Sequence, residues 1–459
     1  MKRYVLLFIA LSAASMAQSV HLSVPYERFT LKNGLTVLMH VDSTTPTAAV
    51  NMWYHVGSGY EKPGRTGFAH LFEHLMFMGS KHVPTGRFDA LLEAAGADNN
   101  GSTNNDRTNY YEDLPKNALE LALYLDSDRM GFLTDEMTVA NVDAQRDVVK
   151  NERRQSYENR PYGMAGIMIN DALFPKGYPY SWPTIGSMAD LTAASLQDVK
   201  DFFNTYYVPN NASLCIAGDI DIEKTKAMVE RWFGDIPAGA PVPQQERTLP
   251  VLNQEKRIVI EDRVQLPRLY MAWITPALFA PGDAELDLLS SMLAGGKNSR
   301  LYKKLVYEMQ IAQDVSAFQQ SQRLTSAFMI VATPRAGHTN AELEHVIQEE
   351  LDRIKREPPA RRELERARNQ YEASFVSRLE SVGGFGGKAD QLNNYLYLTG
   401  NPDYFNEDLA RYFAIDPKDV SSVAETYLKD NGRVVLSVVP KGRQELAAQQ
   451  STLVSTEGK

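Results

Sequence analysis

The distribution of apolar residues predicts both strands and helices in each half of the chain. Strand-like apolar segments include Thr47–His55 and Ile258–Ile260, whereas helical spacing covers Lys116–Asp128 and Val139–Tyr157. Strands and helices do not alternate regularly along the sequence. We therefore predict an α+β fold with mostly antiparallel sheets, rather than a doubly wound parallel sheet.

A pattern of polar and aromatic positions occurs twice, which predicts a duplicated unit. Three positions of the first half recur at one common offset in the second: Asp198, Tyr206 and Asn210 correspond to Asp419, Tyr427 and Asn431. A proline-rich segment separates the two halves. The predicted organisation is a signal peptide at 1–17, a first domain at 18–235, a linker at 236–254, a homologous second domain at 255–450 and a tail at 451–459.

A short helix within residues 67–79, GFAHLFEHLMFMG, carries the first candidate chemistry. Its apolar face is predicted to contain Phe68, Leu71, Phe72, Leu75 and Met76. His70, Glu73 and His74 fall on the opposite side, and a buried His-Glu-His stripe is costly unless its polar groups are satisfied. Ordinary hydrogen bonds are one way to satisfy them, and a metal ion is another.

The spacing of the two histidines suits a metal. His70 and His74 lie one helical turn apart on the same face, so both imidazoles can reach one ion, and Glu73 can contact a water on that ion. This is the H-x-x-E-H pattern, the inverse of the common H-E-x-x-H zinc motif. We predict one Zn²⁺ per chain, with His70 and His74 as ligands and Glu73 next to its bound water.

A catalytic zinc needs a third protein ligand, and a carboxylate is the candidate. In the helical segment Gln145–Arg154, Val148 and Val149 are predicted to mark the buried side, and Glu152 follows three and four residues later. Spacing alone leaves open whether Glu152 is a ligand or a solvated helix residue.

Composition and the N-terminus limit the location and the partners. The net charge of −9 argues against nucleic acid as the main partner. A basic start at Lys2 and Arg3, a short apolar run and a small-residue cleavage pattern predict a signal peptide, and no later stretch could span a membrane. We expect an exported protein, periplasmic in a Gram-negative cell. The lone Cys215 is expected to be a core residue.

The segment HLFEH, followed by QRDVVKNERR, resembles the pitrilysin/insulinase family of inverted zinc metallopeptidases, in particular its shorter members, which are similar to mitochondrial processing peptidase subunits. The resemblance implies two similar α+β domains that form half of a clamshell, completed by a second chain. It implies His70, His74 and Glu152 as zinc ligands with Glu73 as the base. It also implies that residues 96–103 contain an edge strand that holds a peptide substrate, with Asn100 at its polar contact position.

Two positions depart from the family pattern. Gln145 stands where the family often has a second glutamate, seven residues before its ligand glutamate; Gln145 can orient a ligand by hydrogen bonding but supplies no charge. An Arg/Tyr pair of the second half is replaced by Val306 and Gln313. We therefore expect a heterodimer in which a second family chain supplies the pair, with a homodimer as the alternative.

The sequence predicts a zinc-dependent endopeptidase. The main alternative is a non-catalytic scaffold or partner subunit, although such relatives typically lose motif residues that are all present here. A zinc hydrolase acting on a non-peptide substrate is a third possibility.

Overall fold

The computed structural model describes residues 21–243, 245 and 248–458. The predicted signal peptide at residues 1–17 lies outside the described residues. Within the part that is described, no helix combines the length and the hydrophobicity needed to cross a bilayer.

The chain forms two six-stranded mixed sheets, one from each half. The first sheet contains β1 (Glu27–Thr30), β2 (Thr36–Val41), β3 (Thr47–Tyr54), β4 (Asp98–Thr103), β5 (Thr108–Pro115) and β6 (Ala212–Gly218). The second contains β7 (Lys256–Asp262), β8 (Arg268–Thr275), β9 (Ala312–Gln320), β10 (Ser326–Pro334), β11 (Arg433–Pro440) and β12 (Thr452–Leu453). Most neighbouring strands are antiparallel, as predicted, while β2 pairs with β6, and β7 with β11 and β12, in parallel.

Helices cover both faces of each sheet. In the first half they are α1 (Phe68–Leu75), α2 (Arg87–Ala94), α3 (Leu119–Phe132), α4 (Val139–Arg153), α5 (Ala165–Leu173), α6 (Met188–Ala193), α7 (Leu196–Tyr206) and α8 (Ile222–Phe233). In the second they are α9 (Asp283–Ala294), α10 (Asn340–Arg356), α11 (Arg361–Arg378), α12 (Lys388–Thr399), α13 (Phe405–Phe413) and α14 (Pro417–Tyr427). The α+β class is confirmed.

The strand orders of the two sheets confirm the duplication. The order is β1-β2-β6-β3-β5-β4 in the first and β12-β7-β11-β8-β10-β9 in the second. The strands β2-β6-β3-β5-β4 therefore correspond, in the same spatial order, to β7-β11-β8-β10-β9. The repeated sequence positions lie in or just after α7 and α14, which precede β6 and β11. The outermost strand differs, because Thr452 and Leu453, from the segment predicted as a tail, add β12 alongside β7.

The two halves exchange one helix each. Helix α5 of the first half packs Met168 and Leu173 against the second sheet, and α12 of the second half packs Leu392 against the first sheet beside Cys215. Cys215 is fully buried there, and burial raises the pKa of its thiol, so its predicted core position is confirmed. The loop that precedes α12 also contacts the first sheet, because Gly384 N donates a hydrogen bond to Asp113 Oδ1 of β5.

Candidate metal centre

Helix α1 is fixed at its N-terminus by a carboxylate that precedes it. Glu61 Oε2 accepts a hydrogen bond from Gly67 N (2.9 Å) and Oε1 accepts one from Ala69 N (2.8 Å). These are backbone donors that the helix itself cannot satisfy. Burial raises the pKa of Glu61, while the backbone hydrogen bonds oppose that shift. The predicted apolar face of α1 is buried against the first sheet, so the helix has a fixed position.

The polar face of α1 and the end of α4 bring two imidazoles and one carboxylate together. His74 Nε2 lies 3.3 Å and His70 Nε2 lies 3.7 Å from Glu152 Oε2. One donor atom from each residue lies within 4.8 Å of the other two, and all three side chains are partly accessible. Two histidines and one carboxylate around an open side match the donor set of a catalytic zinc site.

The charge states of these groups also suit a metal. Burial lowers the pKa of His70, which favours the neutral imidazole that a metal requires. A hydrogen bond with His74 is the main cause that lowers the pKa of Glu152, which keeps its carboxylate ionised. The donor set therefore fits zinc in its chemistry as well as in its geometry.

The face of α4 that carries Glu152 differs in part from the prediction. Val149 is fully buried, but Val148 is 46% exposed. Of the two valines, only Val149, three residues before Glu152, therefore marks the buried side of the helix. Consecutive residues of a helix point about 100° apart, so neighbouring valines face different directions. Where α4 packs against α1, Val149 is buried and Val148 faces solvent. The predicted helix to Tyr157 ends as α at Arg153 and continues as a π turn over Arg154–Glu158.

Glu73 is held by the edge strand β4. Thr103 Oγ1 donates a 2.6 Å hydrogen bond to Glu73 Oε2. A Cβ atom at position 101 would lie 3.0 Å from Glu73 Cγ, so Gly101 allows the close approach of strand and helix.

The expectation of an edge strand at residues 96–103 is confirmed, since β4 pairs only with β5 in the sheet. In the turn that connects β4 to β5, Asn104 N donates a hydrogen bond to Arg107 O (3.0 Å). Hydrogen-bonded and non-hydrogen-bonded pairs alternate along an antiparallel ladder, so the backbone N–H and C=O groups of Gly101 and Thr103 point away from β5 towards the open edge. Asn100 is exposed, and its Oδ1 accepts a hydrogen bond from Gly101 N (2.8 Å). Asn100 thus occupies the outward backbone donor of Gly101.

Gln145 lies near α1, but no described hydrogen bond joins it to His70, His74 or Glu152. Its Nε2 donates to Met78 Sδ at 2.7 Å. His70 Nδ1 is buried without a hydrogen-bond partner in the described structure. The outer support of His70 that such sites usually have is therefore not provided by Gln145 here.

In the second half, Val306 and Gln313 stand at the positions of the family's Arg/Tyr pair, and neither offers a cation or a phenol. Val306 lies in a π turn and packs against the core of the second half, and Gln313 is exposed at the start of β9. Arg300 is engaged by Glu363 through two hydrogen bonds of 2.7 and 2.8 Å.

Sequence reasoning does not identify Glu61 or Thr103 as functional. Both contact α1 only in the folded chain; Glu61 lies in no motif, and Thr103 lies in the expected edge-strand segment without a contact to Glu73 that the sequence could indicate. The Gly-Ser-Thr segment at 101–103 is the one signal that could have indicated a close strand–helix approach.

Two family models match this chain. The model described as Insulinase (Peptidase family M16) matches residues 36–173, and the model described as Peptidase M16 inactive domain matches residues 193–371. The zinc protease PqqE of Helicobacter pylori is 30% identical over 451 residues, which cover 95% of this chain and 97% of that protein. The chain belongs to the insulinase family, peptidase family M16. The resemblance predicted from the sequence is confirmed.

Further M16 relatives share nearly the whole length. A probable mitochondrial-processing peptidase subunit beta of Arabidopsis thaliana is 23% identical over 436 residues, covering 91% of this chain and 79% of that protein. The crystal structure of a protease from Helicobacter pylori superposes with a TM-score of 0.84 at 27% identity, covering 91% of this chain and all of that one. The inactive-domain model begins after Glu152, so His70, His74 and Glu152 all lie in the half that matches the insulinase model.

Proposed function

We propose that this M16 protein is a zinc-dependent endopeptidase that hydrolyses peptides or unfolded polypeptide segments. The convergence of His70, His74 and Glu152 beside Glu73 is the observation that supports it. Within the described residues, this cluster is the one group suited to hold a metal, which supports one Zn²⁺ per chain.

The residues of the proposed site would have different roles in hydrolysis. His70, His74 and Glu152 would hold the zinc ion. When bound, zinc supplies a Lewis acid that polarises the scissile carbonyl and makes a water acidic near neutral pH. Glu73 Oε1 would take the proton from the attacking water and pass it to the leaving amine. Thr103 fixes the other carboxylate oxygen, so Glu73 keeps its orientation during the transfer.

The open edge of β4 would bind the peptide by strand addition. Gly101 and Thr103 present outward backbone groups beside Glu73, which would place an extended backbone next to the base. In this proposal Asn100 releases Gly101 N and turns its amide to the substrate backbone.

We also propose an exported protein that works with a second family chain, which supplies an Arg/Tyr pair and closes the other half of a clamshell. Val306 and Gln313 at the corresponding positions support the need for such a chain. A homodimer is the alternative assembly. The N-terminal sequence supports export, to the periplasm in a Gram-negative cell.

An unstructured, internally quenched peptide tests the proposed activity, with the products identified by mass spectrometry. We expect cleavage of an internal peptide bond by the zinc-loaded mature protein, either alone or after addition of a second family chain. Cleavage by the chain alone would remove the need for the Arg/Tyr pair. A zinc-loaded chain that leaves peptides intact in both settings would support the scaffold function, or a non-peptide substrate if a small amide or ester is hydrolysed.

A further inference from the structure

The edge strand β4 has two faces, and the metal centre uses only one of them. Gly101 and Thr103 contact Glu73 on the side of α1. Side chains alternate along a strand, so Asp98 and Asn100 lie on the opposite face. A peptide strand added to this edge would likewise direct alternate side chains to the metal face and to the opposite face.

An aromatic side chain of β5 covers part of this opposite face. Tyr111 is paired with Asn100 in the strand register, and its hydroxyl donates a 3.1 Å hydrogen bond to Asp98 Oδ2. The Tyr111 ring therefore leans from β5 towards the open edge.

A glycine-rich loop from the second half, residues 383–387, brings a second aromatic ring to this face. The Phe385 ring meets the Tyr111 ring edge-to-face, with 4.8 Å between centroids, and 46% of Phe385 is exposed. An exposed phenylalanine at the tip of a surface loop gains little from folding, whereas it would lose water contact when an apolar group binds.

The loop is anchored on both sides of Phe385. Gly384 N donates to Asp113 Oδ1 (3.3 Å) and Gly386 N donates to Asp390 Oδ2 (2.8 Å). A Cβ atom at position 383 would lie 1.8 Å from Asp113 Oδ1, so glycine is needed for the loop to approach β5. Phe385 is thus presented at a fixed place over β5, the strand next to the edge strand.

We propose that Phe385 and Tyr111 form an apolar subsite for substrate side chains that face away from Glu73. This inference rests on the proposed peptidase function and names its specificity. The occupant is the peptide strand on β4, because Tyr111 lies on the same face as Asn100 and its hydroxyl reaches Asp98 on the edge strand, while the Phe385 ring packs against Tyr111. The half without the metal site thereby helps to select the substrate.

Matched quenched peptides test the subsite. They differ by Phe, Lys or Gly at each position around one scissile bond. We expect a preference for Phe over Gly at every second position, expressed in KM. In Phe385→Ala the Phe/Gly ratio of kcat/KM at those positions should fall about tenfold, the size expected when roughly half an aromatic side chain no longer leaves water. Phe385→Leu should restore most of the ratio.

Phe413→Ala is the matched control, because Phe413 is 45% exposed on α13. An equal loss for Phe and Gly peptides in Phe385→Ala would overturn the proposal, as would a preference for Lys at these positions. An unchanged ratio together with dissociation of an oligomer would assign Phe385 to a subunit interface instead.

If no peptide is cleaved, the same peptides are tested for binding to the zinc-loaded chain by fluorescence anisotropy. A Phe preference that Phe385→Ala removes would then support the subsite without the peptidase activity, and equal binding would reject it.

Discussion

Replacement of Glu73 by Gln is expected to reduce kcat for peptide hydrolysis by about 10²–10⁴-fold, the usual contribution of a general base, while zinc stays bound at one per chain. The introduced amide keeps the size of the side chain and can still accept the hydrogen bond from Thr103, but it cannot take a proton from water. The measurement is steady-state hydrolysis of the quenched peptide together with the zinc content of the same preparation.

The control for this variant is Glu365→Gln, since Glu365 is exposed on α11 in the other half. It should retain wild-type kcat. A Glu73→Gln protein that hydrolyses peptides at the wild-type rate would remove Glu73 from the mechanism. Loss of zinc together with activity would instead mean that Glu73 supports the metal.

Replacement of Glu152 by Gln is expected to weaken zinc binding by more than the roughly 10–100-fold that is typical for loss of an outer-shell partner, because a ligand charge is removed directly. Glu152 Oε2 is the atom that both histidine Nε2 atoms approach, so the variant leaves two imidazoles and an uncharged amide at the site. Competition with a zinc chelator of known affinity measures the change.

Glu230→Gln, at an exposed position of α8, is the matched control and should bind zinc like the wild type. The circular dichroism spectrum of Glu152→Gln should remain that of the wild type, because Glu152 is partly accessible at the end of α4. Unchanged zinc affinity in Glu152→Gln would show that another group is the third ligand.

The local part of the site could be predicted from the sequence. His70 and His74 lie within two turns of one helix, so their spacing alone places both imidazoles on one face. Glu152 is harder to assign, because its orientation depends on which side of α4 packs against α1. The sequence pattern predicts both Val148 and Val149 inside, whereas the packing buries Val149 only.

Contacts between distant segments could not be predicted in this way. The repeat reveals that the two halves share a strand order, but it carries no information on which sheet each helix covers, and α5 and α12 cover the sheet of the opposite half. Phe385 reaches Tyr111 of the first sheet only through that exchange, because its loop precedes α12. The Thr103–Glu73 hydrogen bond likewise depends on the approach of β4 to α1.

The most direct test of the account is titration of zinc into the metal-free protein while peptide hydrolysis is measured, with a second family chain present if the protein requires it. The account predicts no hydrolysis without metal, a rate that rises in proportion to added zinc and a plateau at one equivalent per chain. It also predicts that Glu152→Gln needs more zinc to reach any given rate. Hydrolysis by fully metal-free protein, or a plateau reached only at two equivalents, would contradict a single zinc centre at His70, His74 and Glu152.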